Sequence, residues 1–326
     1  MSKIMLQLLV VSTLFLIACS DVTISNDRVV FVVDDPNKID VMIDGELFTS
    51  YLIESQFEGK SLTKPILFPV HTPAGVTVTR SFPFAEVEGE SPDHPHHTGI
   101  FFTYDEVNES GFWNNTKFPP QIKHLIVKER LSGDVGTLET ESEWISKDSV
   151  PLLKEERTMK FMPGENEIAI DFTMNLIPLV DKVEFGDTKE GMFAIRVAHQ
   201  LRENNTGEYV SSNGDVGADN VWGKRAEWVK LEGVIDSTTV GIAILNHPES
   251  VNYPTYWHAR GYGLFSANPL GQLAFQKTRN VENPEPFGLT IEEGENALFK
   301  FRMIIYDGAR SLEQMEEKFI AYIETP

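Results

Sequence analysis

The sequence predicts an all-β protein: one large antiparallel β-sandwich with a short helix at its C-terminal end. Three observations favour this class. Short runs rich in β-branched and aromatic residues, bounded by Gly, Asn, Asp or Pro, recur along the chain. One segment alternates strictly between apolar and more polar residues, as a strand with one buried face does. An amphipathic helical stripe occurs only near the C-terminus, so helices contribute little to the predicted core.

The first predicted strands lie near the N-terminus. Residues 28–33 are rich in β-branched side chains and end at residues 34–37, whose composition is typical of a turn. Asp44-Gly45 separates two short apolar runs and predicts a type I′ hairpin, because both positions of that turn need a positive φ.

The strictest alternation begins after Pro163-Gly164. Four apolar residues there are separated by single, mostly polar residues: Ile168, Ile170, Phe172 and Met174. Successive side chains of a strand point to opposite faces, so one face of this strand is predicted to be buried. Residues 240–245 and 298–306 predict two further strands, each bounded by Gly, Asn or Asp.

The last segment is the one convincing helix. Ser311 and Gln314 have the spacing of a capping box. Five residues lie along one apolar stripe: Leu312, Met315, Phe319, Tyr322 and Ile323. Residues 181–191 form a polar interruption, but no repeat or low-complexity linker divides the chain. We therefore predict a single β-sandwich domain over residues 19–326.

The N-terminal segment predicts a bacterial lipoprotein signal. Cys19 is the one cysteine of the chain and directly follows the apolar run of residues 5–18, which Lys3 precedes. This run is shorter than the roughly 20 residues that a membrane-spanning helix needs. We expect residues 1–18 to be removed as a signal peptide and Cys19 to be lipidated. The lipid would then attach the protein to the outer membrane, facing either the periplasm or the cell surface.

Charge restricts the possible partners. The chain has 28 basic and 49 acidic residues and a net charge of −21, which argues against nucleic acid as a partner. Beyond the N-terminal run, no stretch is long and apolar enough to cross a membrane, so contact with a membrane is expected only through the lipid anchor. An acidic sugar would need a local cluster of Arg, Lys and His side chains.

Three of the eight histidines fall within the segment Asp93-His94-Pro95-His96-His97. In an extended chain His94 and His96 share a face, which can supply two metal ligands or a base with an orienting neighbour. Asp93, His94 and His96 are therefore candidate ligands of a divalent metal ion such as Zn²⁺. A polar loop whose histidines bond backbone groups would give the same pattern. No other cofactor is indicated.

Two further pairs of Arg and His residues are candidates for chemistry. Arg196 precedes His199 by three residues, so in a strand the two would point to opposite faces unless a bulge or a bend intervenes. His258 and Arg260 are two residues apart, and this spacing puts both on one face of a strand.

Aromatic and cationic residues elsewhere are candidates for substrate binding. Indole rings stack on sugar rings, while Arg and Lys bind carboxylates or sulfates. The candidates are His71, Arg80, His96, Trp113, Trp222, Lys224, Arg225 and Trp257. For each tryptophan, packing in the core is the plainer interpretation.

Several of these motifs together resemble a known family. Residues 93–97, 185–198, 222–226 and 258–271 look like stretches of the bacterial PmoA-like proteins, and the resemblance covers residues 62–307. The family is named after a methane oxygenase, but membrane oxygenase chemistry is rejected because the mature chain has no spanning helices. The resemblance implies a β-sandwich similar to mutarotases and lyases, and elimination on uronic-acid oligosaccharides in bacterial glycan degradation.

The leading hypothesis is a carbon–oxygen lyase or dehydratase acting on acidic oligosaccharides. Removing the proton beside a uronate carboxylate needs a cation for the carboxylate, a base, and an acid for the leaving oxygen. We assign Arg196 or Arg260 to the carboxylate and His97 or His199 to the base. The acid would be Tyr104 or a second histidine. The predicted catalytic residues are therefore His97, His199, Arg196, Tyr104, His258 and Arg260.

Two alternatives stay open at this point. A glycoside hydrolase or a sugar epimerase is one, and carboxylates for a hydrolase are present at Asp93, Asp187, Glu190 and Glu227, although their spacing marks no pair. The other is a non-catalytic surface lipoprotein that binds glycans, for which aromatic and basic residues suffice.

Overall fold

Two large antiparallel sheets face each other in the computed structural model, which describes residues 27–53, 56–57 and 60–324. The predicted all-β sandwich with a C-terminal helix is confirmed. The predicted signal peptide and the lipidated Cys19 lie outside the described residues, so both stay predictions. Within the described part, no helix is long and apolar enough to cross a bilayer.

Sheet 1 has eight strands and carries the candidate site on its outer face. In spatial order its strands are β1 (Val29–Val32), β2 (Lys38–Ile43), β3 (Glu46–Leu52), β6 (Ile66–Val70), β7 (Ile100–Tyr104), β13 (Gly191–Arg196), β18 (Leu264–Asn268) and β17 (Tyr256–Ala259). The hairpin between β2 and β3 has positive φ at Asp44 and Gly45, as the sequence predicts.

Sheet 2 also has eight strands, and they are longer. In spatial order they are β14 (Glu208–Ser211), β15 (Trp228–Ile235), β16 (Thr238–Asn246), β20 (Ala297–Asp307), β11 (Glu167–Pro178), β10 (Pro151–Pro163), β9 (Gly136–Ile145) and β8 (Gln121–Leu131). The predicted alternation in β11 is confirmed, because Ile168, Ile170, Phe172 and Met174 are all buried.

Short elements complete the described fold. Two-stranded sheets pair β4 (Gln56–Phe57) with β5 (Lys60–Ser61) and β12 (Lys182–Glu184) with β19 (Thr290–Glu292). The helices are α1 (Ala218–Val221), α2 (Gln272–Thr278) and α3 (Leu312–Ile323), and a single 3₁₀ turn spans His199–Leu201.

The predicted α3 forms with the expected cap. The Ser311 side chain accepts a hydrogen bond from the Gln314 backbone, and the Gln314 side chain accepts one from the Ser311 backbone. Met315 and Phe319 of its apolar stripe are buried against sheet 2, whereas Leu312 is exposed at the first turn. The sequence did not predict α1 or α2, which are too short to show a helical period.

The two faces of sheet 1 differ in character. Phe193 and Ile195 of β13 point into the core between the sheets, and Ala194 packs in a separate apolar cluster on the outer face. Since side chains alternate along a strand, Arg196 also belongs to the outer face. There it is covered by the loop that carries the histidine segment.

Candidate functional site

A cleft of about 480 Å³ lies beside the edge strand β17, between the β17–β18 turn and the helices α1 and α2. We call it the Arg260 cleft. Its lining residues are Lys189, Ala218, Asp219, Trp222, Ala259, Arg260, Gly261, Tyr262, Thr278 and Arg279. A volume in this range, about 300–1,000 Å³, is typical of small-molecule sites.

Arg260 and Tyr262 reach the cleft from a tight turn. The Arg260 backbone N–H donates to the Leu264 carbonyl at 2.8 Å, and the Gly263 N–H donates to the Arg260 carbonyl at 2.8 Å. Gly263 has a φ of +96°, which side-chain-bearing residues rarely adopt, so this turn depends on glycine. The turn therefore places a guanidinium and a phenol two residues apart at the cleft.

The Arg260 guanidinium lies between two aromatic rings. Its Cζ is 6.0 Å from the ring centroid of Trp222 and 5.6 Å from that of Tyr262. Among the residues that the structure describes, no carboxylate forms an ion pair with Arg260. The Trp222 indole N–H is buried and also has no hydrogen-bond partner there. The cleft thus offers unused donors beside aromatic surface.

Further charges of the cleft are mainly positive. Lys189 has its Nζ 3.5 Å from a carboxylate oxygen of Glu190, and Arg279 donates to the backbone carbonyl of Asp219 at 2.8 Å. The lining therefore includes three cationic side chains and one carboxylate. This balance is opposite to that of the whole chain, whose net charge is −21.

A second group of polar residues, the Asp93 cluster, lies behind Tyr262. It consists of Asp93, Arg80, Arg196, His94 and His97. Oδ1 of Asp93 is 3.0 Å from Nη1 of Arg80 and 2.8 Å from Nη2 of Arg196. Burial alone would raise the pKa of Asp93, but the contact with His94 and the charge of Arg196 outweigh burial and lower that pKa to about 2.

Backbone pairing brings the two arginines of this cluster together. The Arg196 N–H donates to the Gly99 carbonyl at 3.0 Å, and the Arg80 N–H donates to the Arg196 carbonyl at 3.0 Å. The segments around residues 80 and 99 therefore flank the end of β13. A Cβ at Gly99 would overlap the carbonyl oxygen of Leu67, so glycine is required where the histidine loop joins β7.

The histidine rings form a stack that ends on Tyr262. The centroid of His94 is 4.9 Å from that of His97 and 5.0 Å from that of Tyr262, with all three rings nearly parallel. The His94 side chain is 40% exposed, and its Nδ1 is 3.1 Å from Asp93 Oδ1. His97 is 1% exposed, and burial first, then the neighbouring His96 and Arg196, lower its pKa well below the usual range.

Tyr262 links the Arg260 cleft with the Asp93 cluster. Its ring lies 4.7 Å from Cζ of Arg196 and 5.6 Å from Cζ of Arg260. Several predicted residues are therefore brought to one region. Those in or against the Asp93 cluster are Arg80, Asp93, His94, His96, His97, Trp113 and Arg196, and those at the cleft are Trp222, His258 and Arg260.

His258 packs behind the wall of the cleft. Its ring is buried 6.2 Å from Trp222, and its Nδ1 is 2.8 Å from the Lys189 carbonyl. Burial first, and then the charge of Arg260, lowers the pKa of His258 to about 3. The ring is therefore neutral, with Nδ1 donating to the carbonyl and Nε2 left without a proton.

Three predicted residues lie elsewhere. Tyr104 points into the core between the sheets, where its hydroxyl donates to the Gly186 carbonyl at 2.8 Å and burial raises its pKa. His199 lies in the 3₁₀ turn against the backbone of residue 89. His71 lines a different groove and is 3.1 Å from the Thr77 hydroxyl. The structure thus does not bring these three to the Asp93 cluster or the Arg260 cleft.

The polar groups of three predicted substrate-binding residues are already used within the fold. Lys224 forms an ion pair with Asp215 at 2.5 Å. Arg225 donates to the Pro254 carbonyl at 2.6 Å and to other acceptors nearby. Trp257 is fully buried, and its indole donates to the Ala226 carbonyl at 3.0 Å. A substrate would have to displace these bonds, so their contacts indicate structural roles.

The predicted metal ligands do not fit a divalent ion. Asp93 already contacts two guanidinium groups, whose charge disfavours a further cation. The rings of His94 and His96 are 5.8 Å apart and nearly perpendicular. Among the described residues, no group of three or more His, Cys, Asp or Glu side chains is arranged to hold a metal ion.

Three residues of the cleft were missed from the sequence: Tyr262, Lys189 and Arg279. Tyr262 had a usable signal, because it follows Arg260 by two residues between two glycines. Lys189 belongs to the polar interruption before β13, and Arg279 caps the unpredicted helix α2. Nothing local in the sequence connects those two positions to β17.

The fold and the cleft define a β-sandwich protein with a cationic, aromatic-lined site. The chain belongs to a family of unknown function, DUF6807, which matches residues 38–320. This match overturns the resemblance to the PmoA-like family, which was wrong as a family assignment. No curated protein matches the chain.

Several solved structures align with most of this chain. A galactose mutarotase-like protein from Clostridium acetobutylicum aligns with 10% identity and a TM-score of 0.43 over 86% of this chain and 99% of that one. A β-arabinopyranosidase aligns with 10% identity and a TM-score of 0.32 over 86% of this chain and 38% of that one. A polysaccharide lyase aligns with 10% identity and a TM-score of 0.35 over 91% of this chain and 34% of that one. This chain thus spans only about a third of those two proteins. All three are carbohydrate-related by name, and the likeness is one of fold alone.

Proposed function

We propose that the protein is a carbohydrate-active enzyme, a lyase or dehydratase, that binds an acidic oligosaccharide in the Arg260 cleft and eliminates across its uronic acid. The observation that carries the proposal is the Arg260 guanidinium, which lies between the rings of Trp222 and Tyr262 without an ion-pair partner in the described chain. A planar guanidinium binds a carboxylate through two parallel hydrogen bonds. Aromatic faces beside it suit a sugar ring.

The reaction requires two proton transfers. A base removes the proton from the ring carbon that bears the carboxylate, and that electron pair forms a double bond to the adjacent ring carbon. The bond between the adjacent carbon and its oxygen breaks, and an acid gives that oxygen a proton. The products are an unsaturated uronate and one molecule of water or alcohol. Binding the carboxylate to a cation stabilises the charge that develops on it.

Arg260 would bind the carboxylate, since no protein carboxylate competes for it in the described residues. His94 would be the base. It is the partly exposed ring of the stack, its Nδ1 lies 3.1 Å from the Asp93 carboxylate, and Nε2 would accept the proton. His94 does not line the cleft itself, so the sugar would have to extend past Tyr262 to reach it. His97, which the sequence favoured for this role, is buried beneath it.

Tyr262 would be the acid. Burial raises the pKa of its hydroxyl, while Arg260 and Arg196 oppose this effect to a smaller extent. The phenol is therefore protonated at neutral pH and can give a proton to the leaving oxygen. It lines the cleft and its ring stacks on that of His94, so the proposed acid and the proposed base are neighbours.

The test compares two substitutions that each remove one positive charge. Arg260→Met removes the proposed carboxylate ligand, and Lys277→Met removes an exposed cation on α2 that does not line the cleft. Acidic oligosaccharides are incubated with each variant, and products are followed by mass and by the absorbance of the unsaturated uronate. We expect Arg260→Met to lose roughly 100-fold or more in kcat/KM and Lys277→Met to stay near the wild-type value.

Other product masses would contradict elimination. A gain of one water by the substrate indicates hydrolysis, and an unchanged mass with a changed sugar indicates epimerisation. Binding without any product indicates a glycan-binding protein. Full elimination activity in Arg260→Met would exclude the assigned role of the guanidinium.

A further inference from the structure

A second cavity lies on the opposite side of the molecule, on the outer face of sheet 2 beneath α3. We call it the Tyr322 groove. Its volume is about 250 Å³. The lining residues that matter here are Thr158, Lys160, Thr173, His247, Lys300 and Tyr322.

The register of three neighbouring strands builds the floor of this groove. Thr158 of β10 is opposite Thr173 of β11, which is opposite Lys300 of β20. In the next row, Lys160 is opposite Asp171. Because the pairing fixes these rows, hydroxyl and ammonium groups converge on one patch of the sheet.

Two buried donors in the groove have no partner. Tyr322 is 4% exposed and His247 is 5% exposed. The hydroxyl of Tyr322 and Nε2 of His247 form no hydrogen bond within the described chain, and the two ring centroids are 5.1 Å apart. Buried polar atoms are nearly always hydrogen-bonded, so two unsatisfied atoms on residues that line one cavity point to a ligand there.

The hydrogen bonds of His247 indicate which of its two ring nitrogens carries the proton. The backbone N–H of Glu249 donates to Nδ1 of His247 at 3.2 Å, so Nδ1 is an acceptor. Burial lowers the pKa of His247, which keeps the ring neutral near pH 7. Its one proton therefore belongs on Nε2, and that atom is a donor.

The carboxylate that lines the groove, Asp171, is already paired. Asp171 is bound by Arg302 through two contacts of 2.6 and 2.8 Å. Lys300 pairs with Glu249 at 2.8 Å, whereas Lys160 has no ion pair among the residues described. Beside this paired carboxylate, the groove is lined by residues that carry an ammonium, an imidazole N–H and a phenol, all of which can donate.

We propose that the Tyr322 groove is a second binding site and that it takes an oxyanion, a carboxylate or a sulfate, either free or carried by a single sugar residue. Oxyanions supply several acceptor oxygens and the negative charge that Lys160 and Lys300 would complement. The volume lies just below the roughly 300 Å³ at which most ligand pockets begin, which suits a small anion better than an oligosaccharide. The proposal does not rest on elimination in the Arg260 cleft.

Calorimetric titration tests the site with sodium sulfate and sodium glucuronate in separate arms, with chloride adjusted to constant ionic strength. The full chain carries Arg260→Met so that the other cleft does not contribute. We expect saturable binding with one site. Adding Tyr322→Phe removes only the hydroxyl and should weaken that binding at least fivefold, and adding the exposed Lys160→Met should weaken it as well.

Tyr253→Phe is the matched control, because this tyrosine packs on the same apolar cluster but does not line the groove. It should leave the affinity unchanged, and circular dichroism would verify that each variant is folded. Tighter binding of glucuronate indicates a sugar acid, and tighter binding of sulfate indicates the free oxyanion or a sulfated ligand. Absence of binding in both arms, or equal affinity in Tyr322→Phe, would overturn the proposal.

Discussion

Lys64 is a buried cation beneath the histidine segment. Its ammonium donates to the His96 carbonyl at 3.0 Å and lies 5.0 Å from the centroid of the Phe101 ring. Burial lowers the pKa of Lys64 from 10.5 to about 7. Between those two values the unfolded chain carries a proton on this residue and the folded chain does not.

This difference predicts a pH-dependent stability. Because the unfolded state binds more protons in that window, the free energy of unfolding rises with pH from about 7 towards 10.5, by up to about 1.4 kcal/mol per pH unit. Lys64→Met should remove this slope. Urea unfolding at pH 7, 8 and 9 measures it, with the exposed Lys277→Met as a control that follows the wild type. Parallel curves for wild type and Lys64→Met would contradict the assignment.

Part of the site could be predicted from the sequence, because several of its titratable residues lie in one short segment. Asp93, His94 and His97 are sequence neighbours, so their convergence needed no knowledge of the fold. Tyr104 was wrongly expected at the site, although the alternation of side chains along its strand predicts that it is buried in the core. It shares a face with Phe102 of the same strand, and that face is the core.

The turn between β17 and β18 is the element on which the Arg260 cleft depends. It is a tight hairpin, and it carries both Arg260 and Tyr262 within three consecutive residues. A Cβ at Gly263 would lie 3.0 Å from Cγ of Arg202 and 3.2 Å from a methyl of Val197, in addition to the strain at a φ of +96°. Because the Gly263 N–H is bonded to the Arg260 carbonyl, we expect a shift of the backbone at Gly263 to move Arg260 as well.

Gly263→Ala should therefore affect both stability and binding. We expect a loss of about 1–2 kcal/mol in unfolding free energy from the backbone conformation and a rise in KM for an acidic oligosaccharide. Gly294→Ala is the control, since its φ is +84° and its Cβ would meet no atom within 4 Å. It should lose stability without a change in KM. The two effects are separated by urea unfolding and steady-state kinetics, and an unchanged KM in Gly263→Ala would be inconsistent with this role.

Elements differed in how well the sequence predicted them. The alternation of β11, the hairpin at Asp44-Gly45 and the capped helix α3 have strong local signals, and all three are confirmed. The short α1 and α2 have none, yet both border the cleft. Their side chains reach the site because the loops that carry these helices converge at a sheet edge. The periodicity of the sequence does not indicate where loops converge.

The whole molecule is acidic, while the Arg260 cleft is cationic. A net charge of −21 would repel the proposed acidic sugar at long range, and the three cationic side chains of the cleft would attract it only at short range. The range of the repulsion is set by salt, because the Debye length is about 30 Å at 0.01 M and about 10 Å at 0.1 M. The association rate constant should therefore depend on the long-range repulsion, and the dissociation rate constant on the short-range attraction, so salt should change each through a different interaction.

Stopped-flow measurements of tryptophan fluorescence would separate these rates. We expect the association rate constant for a uronic-acid disaccharide to rise as salt increases from about 0.01 to 0.1 M, and the dissociation rate constant to rise as well. A neutral disaccharide of the same size is the control and should show little salt dependence. Fastest association at the lowest salt would indicate that the local field of the cleft dominates instead.

The ring of Tyr262 has a consequence for engineering the protein. On one side the ring borders the Arg260 cleft, and on the other it contacts Arg196, whose guanidinium pairs with Asp93. Enlarging the cleft by trimming this ring would expose the guanidinium of Arg196 to water. Variants with room for larger ligands should therefore be sought around Arg279 and Thr278, neither of which takes part in an ion pair among the described residues.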